Sequence, residues 1–187
     1  MADLQWHELE LTKASIKGKV LVKEMIKNLV FDLGNVLIEW NSEKILTFFE
    51  PEKERRQLLR QVIFESGVWH QTDKGELSLK EACDEVLVQL DDSYHPAVQN
   101  IFYNWYEVVE VYSGLQEQIG LWADQGYRIY ILSTTCEIFY RIEKAGLLPI
   151  FPLLSGYILS SEVGVVKPEP EIYQKLLKKY GIDPTES

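Results

Sequence analysis

The sequence is poor in the side chains that most often hold transition metals. Its 187 residues include two cysteines and three histidines. Cys83 and Cys136 lie far apart and match no zinc or redox spacing, and His7, His70 and His95 form no ligand spacing either. We therefore expect no zinc site and no disulfide framework. Two widely spaced thiols are typical of a cytoplasmic protein in which both pack as small hydrophobic side chains.

The sequence also has little positive charge and no long apolar run. The 19 basic residues against 29 acidic ones give a formal net charge of −10, whereas nucleic acids and anionic membrane surfaces bind basic patches. The longest uncharged stretch, residues 145–161, contains Pro149, Pro152 and Gly156 and is short for a membrane span. No secretory signal is recognisable. We expect no nucleic-acid or membrane partner, although a locally positive pocket could still bind a small anion.

What is present is a globular composition with an α/β pattern. Hydrophobic residues make up 46% and charged residues 26% of the chain, which excludes a disordered protein. Branched, apolar segments predict buried parallel strands over residues 26–31, 127–132 and 153–159. Helical patterns separate and follow them, so we predict a parallel sheet flanked by helices.

The region between the first two strands is helical throughout. Ser42 and Ser78 can each cap a helix, and residues 52–66 show a one-sided apolar spacing. Residues 96–109 are rich in aromatic side chains, which are more typical of a core than of a ligand cage. We predict a small helical bundle inserted after the first strand.

This pattern divides the chain into three parts. A core domain would consist of residues 25–41 and 112–187, and residues 42–111 would form the inserted helical domain. Residues 1–24 are weakly patterned, and either a start-site artefact or an interaction arm would account for them.

Polar residues follow two of the strands, and a lysine lies in a later loop. Asp32 comes after the first strand, Ser133 and Thr134 after the second, and Lys167 precedes a proline. Ligands of open parallel sheets bind at the carboxyl ends of the strands. A carboxylate, hydroxyl groups and an ammonium together suit phosphate chemistry. Each residue alone is more typical of a turn or a helix cap, so the combination carries the prediction.

With these residues in place, the sequence resembles the haloacid dehalogenase (HAD) superfamily of hydrolases, in the branch that opens Phe-Asp-Leu-Gly-Asn-Val. The subgroup that it resembles most is bacterial sugar-phosphate phosphatases similar to α-D-glucose-1-phosphatase. The resemblance implies a Rossmann-like α/β core with a parallel sheet, and a helical C1-type cap over residues 42–111 that closes the site and selects substrate. The matching stretches are residues 30–37, 131–135 and 160–173, with Gly75-Glu76-Leu77 after Trp69 matching a loop of the cap.

The resemblance also implies a role for each residue. Asp32 would be the nucleophile that forms an aspartyl-phosphate and would also bind Mg2+, with the Gly34 carbonyl as a second ligand. Ser133 and Thr134 would bind the phosphoryl oxygens, and Lys167 would neutralise charge on the phosphate and the nucleophile. Mg2+ suits such a site because it keeps several waters and takes few carboxylates plus phosphate oxygen.

Two departures from the family pattern stand out. Many phosphatases of the superfamily have a second aspartate, as general acid and base, at the position occupied here by Gly34. Glu39 and Glu162 are conceivable substitutes, although each is more typical of a solvated surface charge. The family's last motif, an apolar strand ending in two acidic residues beside the first strand, does not follow Gly181. A natural truncation and an incomplete record both remain open, and the first strand would then be an exposed edge.

The leading functional prediction is a Mg2+-dependent phosphomonoester hydrolase that acts on a small phosphorylated metabolite, with sugar phosphates as first candidates. A phosphate-binding protein with weak or no catalysis is the alternative, which Gly34 and the missing acidic motif favour. A haloacid dehalogenase that uses Asp32 on carbon ranks third. The sequence does not determine the oligomeric state.

Overall fold

The computed structural model describes residues 26–187, and the predicted extension over residues 1–24 lies outside them. Three parallel strands form one sheet in the order β1-β2-β3, so β1 is an edge strand of the described sheet. Its last residue, Phe31, pairs with Ile131 of β2, and Ser133 at the end of β2 pairs with Leu159 of β3. The carboxyl ends of all three strands therefore meet at one edge. The strands are β1 (Asn28–Phe31), β2 (Arg128–Ser133) and β3 (Leu154–Leu159).

The chain between β1 and β2 folds into the inserted helical cap. Its helices are α1 (Ser42–Phe49), α2 (Lys53–Arg60), α3 (Val68–Lys74), α4 (Leu79–Leu87) and α5 (His95–Tyr103). The segment predicted as one helix over residues 52–66 is instead α2 followed by a π-helical turn, Gln61–Glu65. Two short 3-10 turns, Asp92–Tyr94 and Trp105–Glu107, flank α5.

The sequence predicted the N-terminal capping residue of α4 correctly but not that of α1. The side chain of Asn41, not Ser42, caps α1 by accepting a hydrogen bond from Lys44 N. Ser42 is wrong as the cap because it already lies inside the first turn of the helix. Ser78 caps α4 as expected, in a reciprocal pair with Glu81.

Helices also cover the sheet. They are α6 (Ser113–Asp124), α7 (Ile138–Lys144), α8 (Ser160–Val163) and α9 (Pro170–Tyr180), with short 3-10 turns at Phe151–Leu153 and Pro184–Glu186. The predicted alternation of strands and helices in an α/β fold is confirmed. The four-residue helix α8 was not predicted, and it proves to be a contact point for the cap.

One hydrophobic core runs through the cap and one face of the sheet. Ile45 of α1, Phe102 of α5 and Ile131 of β2 are all fully buried members of the same cluster. A smaller cluster lies between the other face of the sheet and α9, where Leu132 packs with Ile172. Because cap and sheet share a core, the cap holds a defined position over the carboxyl ends of the strands.

Edge strand β1 borders an apolar groove. Val30 is 38% exposed there, and Phe31, Leu132 and Leu176 also line the groove. Both cysteines are buried and free, as expected. No helix among residues 26–187 is long and apolar enough to cross a membrane.

Candidate active site

Asp32 and Lys167 form an ion pair just beyond the end of β1. Lys167 Nζ lies 2.6 Å from Asp32 Oδ2 and donates to the carbonyl oxygen of Leu132 at 3.0 Å. The other carboxylate oxygen, Asp32 Oδ1, accepts from Leu33 N at 2.8 Å. The aspartate is held in one orientation while 39% of its side chain stays exposed. A partly exposed pair adds little to stability, but it places a cation directly on a potential nucleophile.

Ser133 and Thr134 complete this side of the site at the end of β2. Thr134 Oγ1 accepts a hydrogen bond from Lys167 N at 3.0 Å, so the hydroxyl fixes the loop that carries the lysine. Its hydrogen is still available for a ligand, because a hydroxyl both accepts and donates. Ser133 is almost fully buried, and both residues line the same cleft as Asp32. The sheet thus brings together the four side chains predicted to act.

After Asp32 the backbone makes a tight turn that backbone hydrogen bonds close. The carbonyl of Leu33 accepts from Leu37 N at 2.8 Å, and Asn35 N donates to Ile38 O at 2.7 Å. Asn35 adopts a left-handed backbone with φ 58°, a conformation that asparagine tolerates better than most residues. Within the described chain no backbone N–H donates to the carbonyl of Gly34. That oxygen is therefore free to bind a ligand.

A cavity of about 230 Å3 separates these residues from the cap. Three indole rings line it: Trp40 at the start of the cap, Trp69 on α3, and Trp105 after α5. The centroid of the Trp40 ring lies 5.1 Å from that of Trp69 and 4.8 Å from that of Trp105. Trp105 is only 4% exposed, so the aromatic segment is mainly core, as expected, and shows one edge to the cleft.

Asp73, at the end of α3, also lines the cleft and was missed from the sequence. Burial raises the pKa of its carboxyl to about 7. The sequence contains one indication of this residue, because Asp73 lies two residues before Gly75, next to the stretch that resembles a loop of the cap. Only the fold shows that this stretch faces Asp32.

The two glutamates named as conceivable acid–base groups lie elsewhere. Glu39 Oε2 accepts from Lys44 Nζ at 2.5 Å and from Glu110 N at 3.0 Å. Glu162 accepts a hydrogen bond from the Tyr140 hydroxyl. Neither residue lines the cleft, so both candidates are wrong.

Cys136, near the start of α7, is a packed thiol. Burial raises the pKa of the thiol to about 12. It therefore stays protonated and unreactive at neutral pH.

Comparison with known proteins agrees with the geometry. The family model of the haloacid dehalogenase-like hydrolases matches residues 26–187. The chain belongs to this family. The predicted family and its α/β fold with an inserted cap are thereby confirmed.

Solved structures of the family resemble it closely. A HAD family enzyme from Bacteroides thetaiotaomicron, crystallised with magnesium and inorganic phosphate, is 27% identical, with a TM-score of 0.66 over 86% of this chain and 82% of that one. A predicted HAD-like hydrolase from Porphyromonas gingivalis is 22% identical, with a TM-score of 0.66 over 87% and 80%. L-2-haloacid dehalogenase from Xanthobacter autotrophicus is 18% identical, with a TM-score of 0.55 over 87% and 68%. The last two show a shared fold.

The residues of the HAD-like hydrolase fit a weakly held Mg2+. Asp32 offers a carboxylate and Gly34 a free carbonyl within the same turn, and hard oxygen donors are what Mg2+ prefers. Among the described residues there is no group of three or more His, Cys, Asp or Glu side chains that could hold a metal. Such an ion would complete its coordination with water and substrate oxygens.

Proposed function

We propose that the HAD-like hydrolase is a Mg2+-dependent phosphomonoester hydrolase that works through an aspartyl-phosphate on Asp32. The observation that carries this proposal is the ion pair between Asp32 and Lys167, which lie 2.6 Å apart beside the hydroxyl groups of Ser133 and Thr134. A nucleophile and hydrogen-bond donors that line one small cavity, with a fixed cation paired to the nucleophile, are the groups that phosphoryl transfer requires.

Each residue has a defined task in this mechanism. Asp32 attacks phosphorus, and the bond to the leaving oxygen breaks. Lys167 neutralises negative charge that is shared between the carboxylate and the phosphoryl oxygens. Ser133 and Thr134 donate hydrogen bonds to those oxygens. Mg2+ held by Asp32 and Gly34 would supply further positive charge, and water then hydrolyses the aspartyl-phosphate.

Phosphorus is favoured over carbon as the atom attacked. Lys167 and the two hydroxyl groups offer more donors than a halide-bearing carbon needs, and an enzyme 27% identical to this chain was crystallised with magnesium and inorganic phosphate. The dehalogenases are 20% identical to this chain or less. They share its fold and give no argument about the reaction that it catalyses.

The cap defines the class of substrate that we propose. The indole rings of Trp40, Trp69 and Trp105 give the cavity an aromatic wall, and its volume of about 230 Å3 suits a small ligand. The apolar face of a sugar ring packs well on such rings, so a sugar phosphate is the favoured substrate. Nucleic acid and membrane partners remain unexpected, and the cytoplasmic location stays a prediction.

Steady-state turnover tests this proposal. The purified chain is assayed with p-nitrophenyl phosphate, a panel of sugar phosphates and a 2-haloacid, with Mg2+ or with excess EDTA. We expect Mg2+-dependent release of phosphate that EDTA abolishes and fresh Mg2+ restores. Asp32→Asn should lower turnover by about 10⁴-fold or more, because it removes the nucleophile.

Each other outcome has a definite meaning. Phosphate binding without turnover would identify a binding protein and contradict the proposal. Halide release that persists in EDTA would identify a dehalogenase. Retention of activity in Asp32→Asn would remove Asp32 from its role.

A further inference from the structure

One carboxyl group in the cleft has no task in the mechanism above. Asp73 lines the same cavity as Asp32, Ser133 and Thr134, but from the cap side. Its carboxyl is half-buried, and burial is the one cause of its altered titration, with no donor or cation in the described chain acting on it. Burying a carboxylate without a hydrogen-bond partner or a counter-charge destabilises a protein. We therefore expect Asp73 to have a function in the cleft.

The backbone of Asp73 is bound to the loop that binds phosphate in the proposed mechanism. Its carbonyl accepts a hydrogen bond from the Ser160 hydroxyl, and Ser160 Oγ accepts in turn from Thr135 N at 2.9 Å. Thr135 directly follows Ser133 and Thr134. A single buried serine thus fixes Asp73 relative to the proposed phosphate-binding residues.

A second contact holds the same segment in place. The backbone of Gly75 lies so close to the carbonyl of Ser161 on α8 that a Cβ would collide with it. Asp73 therefore belongs to a part of the cap that packs tightly on the core, and its backbone holds a fixed position beside the cleft that it lines.

The chemistry of the site lacks an acid–base group that Asp73 could supply. Gly34 has no side chain to donate a proton, and Glu39 and Glu162 lie outside the cleft. Lys167 is paired with Asp32 at 2.6 Å. Among the described residues that line the cavity, Asp32 and Asp73 are the two that carry a carboxyl group, and Asp32 is used as the nucleophile.

We propose that Asp73 is the general acid and base of the HAD-like hydrolase and acts from the cap instead of from the turn after β1. This inference rests on the proposed phosphatase function. In the first step Asp32 forms a bond to phosphorus, the bond to the leaving oxygen breaks, and the Asp73 carboxyl gives its proton to that oxygen. In the second step the Asp73 carboxylate takes a proton from water as the water attacks phosphorus. The bond from phosphorus to Asp32 then breaks, phosphate leaves, and both aspartates return to their starting states.

The charges around Asp73 allow this cycle. Lys167 offsets Asp32 from the neighbouring groove, and next to Asp73 on the chain Lys74 Nζ lies 2.9 Å from Glu76 Oε1. Burial raises the pKa of Asp73 to about 7, where a carboxyl can both give and take a proton near neutral pH. The elements packed on α3 carry these titratable groups: Glu162 on α8, Glu65 in the π-helical turn, and Lys80, Glu81, Cys83, Asp84 and Glu85 on α4. None of them is a cause of the raised pKa of Asp73, whereas the charge of Asp73 acts on the buried thiol of Cys136.

The test compares two kinds of leaving group in wild type and Asp73→Asn. A sugar or other alkyl phosphate leaves as a basic alkoxide and needs a proton, whereas the nitrophenolate of p-nitrophenyl phosphate leaves without one. We expect Asp73→Asn to lower kcat/KM, which reports formation of the aspartyl-phosphate, by about 100-fold for alkyl phosphates, at the low end of general acid–base effects, and by less than about fivefold for p-nitrophenyl phosphate. Wild-type kcat/KM for alkyl phosphates should fall above about pH 7, and this alkaline limb should be absent in Asp73→Asn.

Matched controls and an assay that needs no turnover complete the design. Glu39→Gln and Glu162→Gln remove a carboxyl outside the cleft and should keep the wild-type dependence on leaving group and pH. Carboxyl carbon NMR of the wild type, assigned by comparison with Asp73→Asn, should show one group titrating at about pH 7.

The outcomes separate the inference from the function on which it rests. If wild type turns over both substrates and Asp73→Asn lowers kcat/KM for both equally or for neither, Asp73 is not the acid–base group and the phosphatase function stands. A carboxyl that titrates in the ordinary range of aspartate would also overturn the inference. If wild type hydrolyses no phosphate ester with Mg2+, the proposed function fails and the inference fails with it.

Discussion

The two walls of the cleft differ in how their polar groups are satisfied. The core wall consists of Asp32, Ser133 and Thr134, together with Lys167, which pairs with Asp32 from the neighbouring groove. The cap wall consists of Trp69, Asp73 and Trp105. On the core wall the polar groups bind one another: Lys167 Nζ is paired with Asp32, and Thr134 accepts from Lys167 N. On the cap wall the carboxyl of Asp73 has no partner, and Trp105 Nε1 is buried without a hydrogen-bond acceptor in the described chain.

The polar groups of the core wall are therefore oriented before a ligand binds, whereas those of the cap wall have no partner among the described residues until a ligand binds. The core wall lies at the ends of paired strands and orients its charges in advance, which is how preorganised sites stabilise charge. The cap wall offers aromatic surface and an unpaired acid, whose cost a bound substrate can offset. We therefore expect changes to the core wall to lower the rate for every phosphate ester. Changes to the cap wall should act on stability, pH dependence, substrate affinity or the dependence of rate on the leaving group.

Among single changes that leave the nucleophile Asp32 in place, Lys167→Ala should have the largest effect on rate. It removes the preorganised cation, so we expect kcat/KM for phosphate esters to fall by about 10²–10³, as when one oxyanion donor is lost. The free energy of unfolding should change by less than about 1 kcal/mol because the pair is partly exposed. Kinetics and urea denaturation measure the two effects, and Lys175→Ala on the exposed face of α9 is the control. A loss below about threefold would show that the core wall does not depend on this charge.

Gly75→Ala should break the contact that positions the cap wall. Gly75 has φ 78°, and an added Cβ would meet the Ser161 backbone. We expect a loss of about 2–3 kcal/mol in unfolding free energy from clash and strain together. Gly67→Ala is the matched control, because Gly67 has φ 94° with nothing within 4 Å of its Cβ, and strain alone should cost about 1 kcal/mol. Equal losses in urea denaturation would contradict the tight contact.

Asp73→Asn should stabilise the protein at alkaline pH while it impairs catalysis. The ordinary pKa of 3.8 applies in the unfolded chain and about 7 in the folded one, so the native state binds the proton more tightly. The contribution of this carboxyl to the free energy of unfolding of the wild type is therefore complete below about pH 4 and is lost as the pH rises to about 7. We expect the variant to be about 1–2 kcal/mol more stable at pH 8, with little difference at pH 4. Equal stability of the two proteins at pH 8 would contradict a costly buried carboxyl.

Trp69→Leu should have the smallest effect and test the aromatic surface. We expect KM for sugar phosphates to rise about three- to tenfold, or about 1 kcal/mol, with kcat nearly unchanged, because stacking contacts act on binding. Trp122→Leu is the control, since Trp122 stacks on Phe31 at 6.0 Å and does not line the cleft. Inhibition by inorganic phosphate should not change in either variant. An unchanged KM for every sugar phosphate would remove the cap wall from substrate binding.

The core wall could be predicted from the sequence, and the cap wall could not. Asp32, Ser133 and Thr134 each follow an apolar strand, and parallel strands bring their carboxyl ends to one edge of the sheet. Lys167 is different, because it reaches Asp32 from a loop that precedes α9. Spacing alone did not place it there, and the resemblance to the family did.

Asp73 was missed for a physical reason. Its position depends on how the cap packs on α8, through Ser160 and Gly75, and such long-range contacts leave no periodic signal in the sequence. Glu39 and Glu162 were considered because they lie near the motifs along the chain. Local hydrogen bonds to Lys44 and Tyr140 hold them outside the cleft instead.

Some local details of the helices could be predicted from the sequence and others could not. Ser78 was recognisable as a cap because Glu81 stands three residues later. The capping of α1 by Asn41 differs from the expected Ser42 by one residue, an uncertainty that helix ends usually carry. The π-helical turn Gln61–Glu65 continues the same apolar spacing as α2, so the sequence pattern does not distinguish it from an α-helix.

The most direct test of the central claim is the fate of the phosphoryl group on the protein. The chain is mixed with Mg2+ and an excess of 32P-labelled phosphate ester, quenched in acid within one turnover, and digested for mass spectrometry. We predict that the label lies on the peptide containing Asp32, that it is absent in Asp32→Asn, and that solvent 18O enters the released phosphate. Turnover that labels no residue or a residue other than Asp32, or solvent 18O in the Asp32 carboxylate, would contradict the account.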